Sequence, residues 1–289
     1  MTSGRSKTQQ HAVEYIAFGL HVTTMFRICR VWQLPFILLA FSLSTSSALA
    51  QGNPRLVRVF VALADNEHQG IVPVPKALGN GDDPDRNLYW GAAFGVRTYF
   101  KRSGDWKEVA TFRNLSPVVA ERIVFLHQSS ATYVVADGYY GKDIRSAIED
   151  FLRSASGRDP QIPDIKAENN KPMRMPAASL SVYVGHDGLM DFRLSQTFQE
   201  LDGSPKQDVI VLACASKLYF AEALRPTGAR PLLWTTGLMA PEAYTLKAAL
   251  DAWIRGESTG AIRHDAANAY AKYQRISLAA AERLFASGW

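Results

Sequence analysis

Two residues of this 289-residue chain have types and settings suited to covalent chemistry. His186 follows the apolar, β-branched run Ser179-Leu180-Ser181-Val182-Tyr183-Val184 and sits in Gly185-His186-Asp187-Gly188. Cys214 follows a second such run, Asp208-Val209-Ile210-Val211-Leu212-Ala213, and precedes Ala215-Ser216. Both runs read as buried strands. Aligned in parallel, they bring an imidazole and a thiol to one sheet edge. A thiol attacks a carbonyl as its thiolate, and a neighbouring imidazole accepts the proton or stabilises the ion pair. The intermediate then needs donors aimed at its oxyanion. Gly185 and Gly188 leave the backbone around His186 free to bend. A helix starting past Cys214 aims N–H groups and a positive dipole end at the sulfur. The constellation is therefore His186 as base, Cys214 as nucleophile, and the N–H groups of Gly188 and Cys214 as oxyanion hole.

Plainer readings stand beside this one. A free cysteine is often a small buried hydrophobe, and His186 taken alone is a loop histidine. His68 and His127 read as ordinary loop residues. Asp65, at the end of the first strand, reads either as a cleft carboxylate or as an exposed one. Asn80, Asp82, Asp83 and Asp85 crowd one loop without the ordered spacing of a calcium loop, so they read as a solvated turn. No Gly-x-Ser-x-Gly elbow and no glycine-rich nucleotide fingerprint is present. Neither a metal nor a cofactor is expected.

The first 50 residues read as a secretory signal peptide. Arg27 and Arg30 precede the apolar run Leu34 to Phe41, and Ala48-Leu49-Ala50 gives a small-x-small cleavage site before Gln51. The run is too short to span a bilayer, and no cysteine stands at the cleavage point to take a lipid. The expectation is a secreted or periplasmic bacterial protein without a stable membrane anchor, with residues 51–289 as a single domain. Of 32 basic and 27 acidic residues, four and one leave with the signal; the remaining 28 and 26 nearly balance. That gives little support for a nucleic-acid partner. Cys29 leaves too, so Cys214 is the sole remaining thiol and no intramolecular disulfide is possible.

The other elements must position this pair. Leu56 to Leu63 reads as a first strand, followed by a polar loop and a long connection through Pro73, Pro75 and Pro84. A helical stretch is expected from Asn87 to Gly104. Trp106–Phe112, Arg122–His127 and Ala131–Ala136 read as strands, the middle one outer or antiparallel. Gly141 to Ser154 is an amphipathic helix with Ile144, Ala147, Ile148, Phe151 and Leu152 on one face. Residues 158–177 read as a loop and Ser195–Leu201 as a short helix. A helix after Cys214 to about Leu224, a strand Pro231–Thr235, a helix from Pro241 to Trp253 and a final helix from Asp265 to Phe285 complete the chain. Strands alternating with helices argue for an α/β domain with a mainly parallel sheet and helices on both faces. Ligands then sit outside the carboxyl ends of the strands, where Asp65, Asp137, His186, Cys214 and Thr235 are expected.

Val182-Tyr183-Val184-Gly185-His186 followed, one crossover later, by Val209-Ile210-Val211-Leu212-Ala213-Cys214 resembles the caspase-like cysteine peptidases. That group includes caspases, legumains, gingipains, clostripain and separase. The resemblance spans roughly Leu56 to Trp253 as a pattern, and its motifs cover about a dozen residues. It implies an α/β fold with a mainly parallel sheet of about six strands sandwiched by helices, a His186–Cys214 dyad and endopeptidase activity on a peptide or protein. It also implies a substrate pocket built partly by the loop after the strand beyond the cysteine strand, by position Thr235 to Glu242. The pocket candidates are therefore Thr235, Thr236 and Glu242, with Asp65 and Asp187 at neighbouring strand ends. One residue departs from the pattern: Asp187 stands between the histidine and the glycine. The second reading is accordingly a catalytically silent caspase-like domain that binds a peptide or a cell-envelope component. A third is an unrelated periplasmic α/β binding protein with a buried cysteine.

Overall fold

The computed structural model describes residues 53–159, 165–166 and 172–289. The expected signal peptide and Cys29 lie outside them. β1 (Arg55–Ala62) is a run of β-branched and aromatic residues, buried on both faces from Leu56 onward. It pairs in parallel with β4 (Thr132–Tyr139) on one side and β7 (Ala178–Val184) on the other. β8 (Asp208–Leu212) and β9 (Arg230–Thr235) continue the parallel set beyond β7.

The sheet is larger and more mixed than the expected six strands. Among the described residues it holds eight, in the order β10-β9-β8-β7-β1-β4-β3-β2. β2 (Trp106–Arg113) and β3 (Val119–His127) extend one side as an antiparallel meander into β4. β10 (Phe285–Ala286) closes the other side antiparallel to β9. The short links after β2 and β3 produce this meander, because only antiparallel neighbours can be joined by a tight turn. A separate pair, β5 (Ile165–Lys166) and β6 (Pro172–Met173), falls in the segment read as loop.

Side chains alternate along each strand and divide between two cores. Val57, Val59, Val61, Val182, Val184, Ile210 and Leu212 face the first, with α1 (Val96–Arg102), α4 (Ala243–Ile254) and α5 (Thr259–Gln274) packed over them. Phe60, Ala62, Tyr183, Val209, Val211 and Ala213 face the second, under α2 (Ile144–Ala155) and α3 (Ser216–Leu224). α2 buries the five residues named from its periodicity. No helix among the described residues is long and apolar enough to cross a membrane.

Three expected helices differ. The stretch from Asn87 is helical only from Val96 to Arg102. Before that it runs in tight turns, because the buried Asn87 side chain bonds both backbone groups of Ala64, at 2.9 and 2.8 Å. Ser195–Leu201 forms no helix. The final helix breaks: Arg275 adopts a left-handed cap at φ 54°, and Ser277 caps α6 (Leu278–Leu284) by accepting from Ala280 N–H.

Candidate functional site

β7 and β8 run in register to Val184↔Leu212, and Gly185 N–H extends the ladder by donating to Leu212 O at 3.2 Å. His186 and Cys214 each lie two residues beyond that last pair. Val184 and Leu212 both face the first core, and Cys214 meets Met239 of that core. Gly185 takes φ 149°, and a Cβ there would stand 3.0 Å from the Ala62 carbonyl oxygen, so glycine is required for the turn into the histidine.

The cysteine sits on a braced turn. Ala215 is left-handed at φ 46°, a strained conformation for a residue with a side chain. Its N–H donates to Gly237 O at 2.8 Å. Ser216 Oγ donates to Val211 O at 3.0 Å and accepts from Thr235 N–H at 3.0 Å. Thr235 Oγ1 donates to Ala213 O and accepts from Ser216 N–H at 3.2 Å. Cys214 itself remains half-buried. Its S–H donates to Met239 O at 3.5 Å, and Met239 N–H donates to the sulfur at 3.4 Å. Burial raises the thiol above its ordinary pKa; the Met239 hydrogen bond opposes this, and the charge of Asp187 adds to it.

The imidazole is held by a residue that the motif did not single out. His186 is buried, and its Nε2 lies 2.7 Å from Asp191 Oδ2. Asp191 also accepts from Gly70 N–H at 3.1 Å, tying the loop after β1 to the histidine. With Nε2–H donated to a carboxylate, Nδ1 is the basic nitrogen. No hydrogen bond joins His186 to Cys214 among the described residues.

Asp187 is fully buried. Its Oδ1 accepts from Leu189 N–H at 3.1 Å and caps the short turn Gly188–Met190. Its Oδ2 is sealed from solvent without a hydrogen-bond partner among the described residues. Burial pushes this carboxyl up to about 7, against the pull of the Leu189 N–H, and the charge of Asp191 adds to the rise.

The remaining candidates divide. Gly188 N–H donates to His186 O at 3.1 Å, and a Cβ on Gly188 would press on Phe192 and Ile148. It therefore belongs to the α2 side and has no donor free for an oxyanion. Cys214 N–H has no acceptor among the described residues and keeps that capacity. Asp65 is neither exposed nor a free cleft carboxylate: Oδ1 accepts from Glu67 and His68 N–H at 2.8 and 3.1 Å, and Oδ2 meets His68 Nδ1 at 2.9 Å. Thr235 is buried beneath the cysteine turn as a brace. Thr236 is exposed and bonds the carbonyls of Arg283 and Leu284. Glu242 remains as a half-buried carboxylate beside the loop that touches the thiol. Asp137 is no strand-end residue: it lies within β4, locked to Arg58 and Arg122 at 3.0 and 2.5 Å. In the acidic loop, Asp83 pairs with Arg86 and Asp85 with Arg97 and Arg113.

Asp191, Met239 and Tyr270 are the additions the sequence did not mark. Tyr270 hydroxyl accepts from Ala240 N–H at 3.1 Å, next to the thiol-binding Met239. The Asp187-Gly188 turn signal was the one available pointer to Asp191, since a tight reversal brings a nearby carboxylate back toward the histidine. On the second face, a groove of about 680 Å³ runs between residues 189–198 and α3, with Asp191 among its lining residues and Met190, Leu218 and Tyr219 exposed along it. Comparison with family models, curated proteins and solved structures finds no match to this chain.

Proposed function

We propose that the chain is a caspase-like cysteine endopeptidase, secreted or periplasmic, that hydrolyses peptide bonds with Cys214 and His186. The observation that carries this reading is the matched position of the two residues, each two past the last in-register pair of adjacent parallel strands. Asp191 holds Nε2–H, so Nδ1 takes the Sγ proton as the sulfur attacks the substrate carbonyl. Cys214 N–H stabilises the oxyanion and Met239 N–H the thiolate. Collapse of the tetrahedral intermediate breaks the C–N bond, and His186 returns the proton to the leaving amine. Water, deprotonated by His186, then cleaves the thioester and restores the S–H. Catalytic hydrogen bonds commonly tighten only when substrate is bound, and the Nδ1-to-Sγ approach belongs to that step.

The test is turnover of a broad peptide library by the wild type and Cys214→Ala. Activity confined to the wild type supports the mechanism; equal activity refutes it. A second reading, a silent domain that binds a peptide or envelope component, is favoured by one observation: the thiol is raised by burial and its proton is held by Met239 O. Under that reading a thiol-directed electrophilic peptide labels Cys214 only slowly, and faster when denaturant is added.

A further inference from the structure

The groove on the second face has one wall of backbone that is held in place but left unpaired. That wall is the irregular segment from Asp191 to Phe198, and the facing wall is the outer side of α3, with Leu218, Tyr219 and Glu222. The segment is pinned at both ends. Arg193 O accepts from Arg145 at 2.9 Å, Gln199 O from Arg158 at 3.3 Å, and Glu200 N–H donates to Pro226 O at 2.9 Å. Phe192, Leu194 and Phe198 anchor it against the second core. Between these ties, no backbone N–H or C=O of residues 194–198 makes a hydrogen bond among the described residues, and Ser195, Gln196 and Thr197 are exposed. Across the groove Leu218 is 72% exposed, and Met190, at one end, is 42% exposed.

Fixed, unpaired backbone is a template for a second extended chain. Such a chain also points alternate side chains to one side, where the apolar wall of α3 receives them. A bilayer would answer only half of this surface. It would cover Leu218 and Met190, but it would strand the N–H and C=O groups of residues 194–198 in hydrocarbon, where nothing pairs with them. A second copy of this chain brings the same hollow, and an isologous contact between two hollows leaves both unfilled. A peptide supplies both the backbone partners and the apolar side chains.

We propose that this groove docks an extended peptide segment of a partner protein, by backbone pairing with residues 194–198 and by setting alternate apolar side chains against Leu218, Tyr219 and Met190. The surface does not use the thiol, so the inference holds for a peptidase and for a silent domain alike. The test uses the Cys214→Ala chain, so that no probe is cleaved, and fluorescein-labelled octapeptides read by fluorescence anisotropy. Peptides alternating threonine with leucine or phenylalanine are expected to bind, and a peptide of the same composition with its leucines consecutive to bind about tenfold more weakly. Successive amides of a strand point to opposite sides. N-methylation of one alternate set of amides is therefore expected to weaken binding about tenfold or more relative to N-methylation of the other set. Leu218→Asp should weaken it about tenfold or more. Leu238→Asp, equally exposed at 72% but outside the groove lining, should leave it unchanged. Binding by none of the peptides, equal effects of the two N-methylated sets, or equal effects of the two aspartates overturns the inference. So does sedimentation of the chain, but not of its Leu218→Asp variant, with vesicles of phosphatidylethanolamine and phosphatidylglycerol, which assigns the face to lipid. A dimer in solution that Leu218→Asp dissociates assigns it to a second copy and overturns the inference equally.

Discussion

His186 Nε2 and Asp191 Oδ2 stand 2.7 Å apart, and this contact fixes which ring nitrogen is left for chemistry. A carboxylate accepts but cannot donate, so Nε2 carries the proton and Nδ1 the lone pair. Asparagine at 191 can donate instead, which favours the opposite tautomer. Asp191→Asn is expected to slow Cys214 alkylation by iodoacetamide about tenfold or more. Its pH–rate profile should also change shape, whereas loss of a purely structural contact would scale the whole profile down. An unchanged rate and profile would remove Asp191 from the positioning role.

The carboxyl of Asp187 makes a different prediction, one of stability against pH. Its folded pKa is about 7, against about 3.9 in an unfolded chain. Below the unfolded value both states are protonated and the fold carries no penalty. As pH rises from there toward 7, the unfolded state releases its proton first, so stability falls; above 7 the loss is complete. The linkage amounts to at most roughly 4 kcal/mol. Asp187→Asn keeps the acceptor for Leu189 N–H and has no proton to lose. Denaturant titrations at pH 4, 6 and 8 should therefore show the mutant gaining on the wild type as pH rises, by about 2–4 kcal/mol at pH 8. Parallel curves would mean that Asp187 ionises as an ordinary carboxylate.

The strands of this fold were legible because each carries a signature independent of its neighbours: Val57, Val59 and Val61 alternate with Phe60 and Ala62 in β1, and the pattern recurs in β7 and β8. The alternation of strands with helices, which implies parallel neighbours, gave His186 and Cys214 a common edge. What failed depended on where individual polar groups point. Asn87 was read as a helix start, but its amide binds Ala64, 23 residues earlier. Thr235 was read as a pocket residue, but its hydroxyl turns inward to Ala213 O. Gly188 was read as an oxyanion donor, but the Asp187-capped turn directs its N–H to His186 O. Motif spacing reports which residues are near one another; it does not report where their N–H and O–H groups point.

Asp137 predicts a separation of stability from chemistry. It is 1% exposed and answers Arg58 and Arg122 at 3.0 and 2.5 Å. Removing Asp137 leaves Arg122 desolvated without this partner and Arg58 with only Asp159, at 3.4 Å; loss of one member of a buried ionic group costs about 3–5 kcal/mol. Asp137→Ala should lower the denaturation free energy by that amount. Under conditions where the mutant remains folded, its Cys214 alkylation rate should match the wild type, because the network spans β1, β4 and β3, with β7 between it and the cysteine strand. A slowed rate in the folded mutant would show the network reaching the site.

Thr235 makes the opposite prediction, that stability and chemistry fall together. Its Oγ1 serves Ala213 O and Ser216 N–H on either side of Cys214 and Ala215. Thr235→Val keeps the shape and removes both bonds, leaving a buried carbonyl without its hydroxyl donor and a buried N–H without its acceptor. The expected cost is about 2 kcal/mol. Because Ala215 is held left-handed at φ 46° by this bracing, the turn should relax toward an ordinary conformation and shift Sγ from Met239 N–H. Alkylation of Cys214 should change in rate even in the folded protein. Thr236→Val is the control: that side chain is exposed and bonds only Arg283 O and Leu284 O, so its effect should stay within about 0.5 kcal/mol. Equal effects from the two valines would mean that the turn holds Cys214 without help from β9.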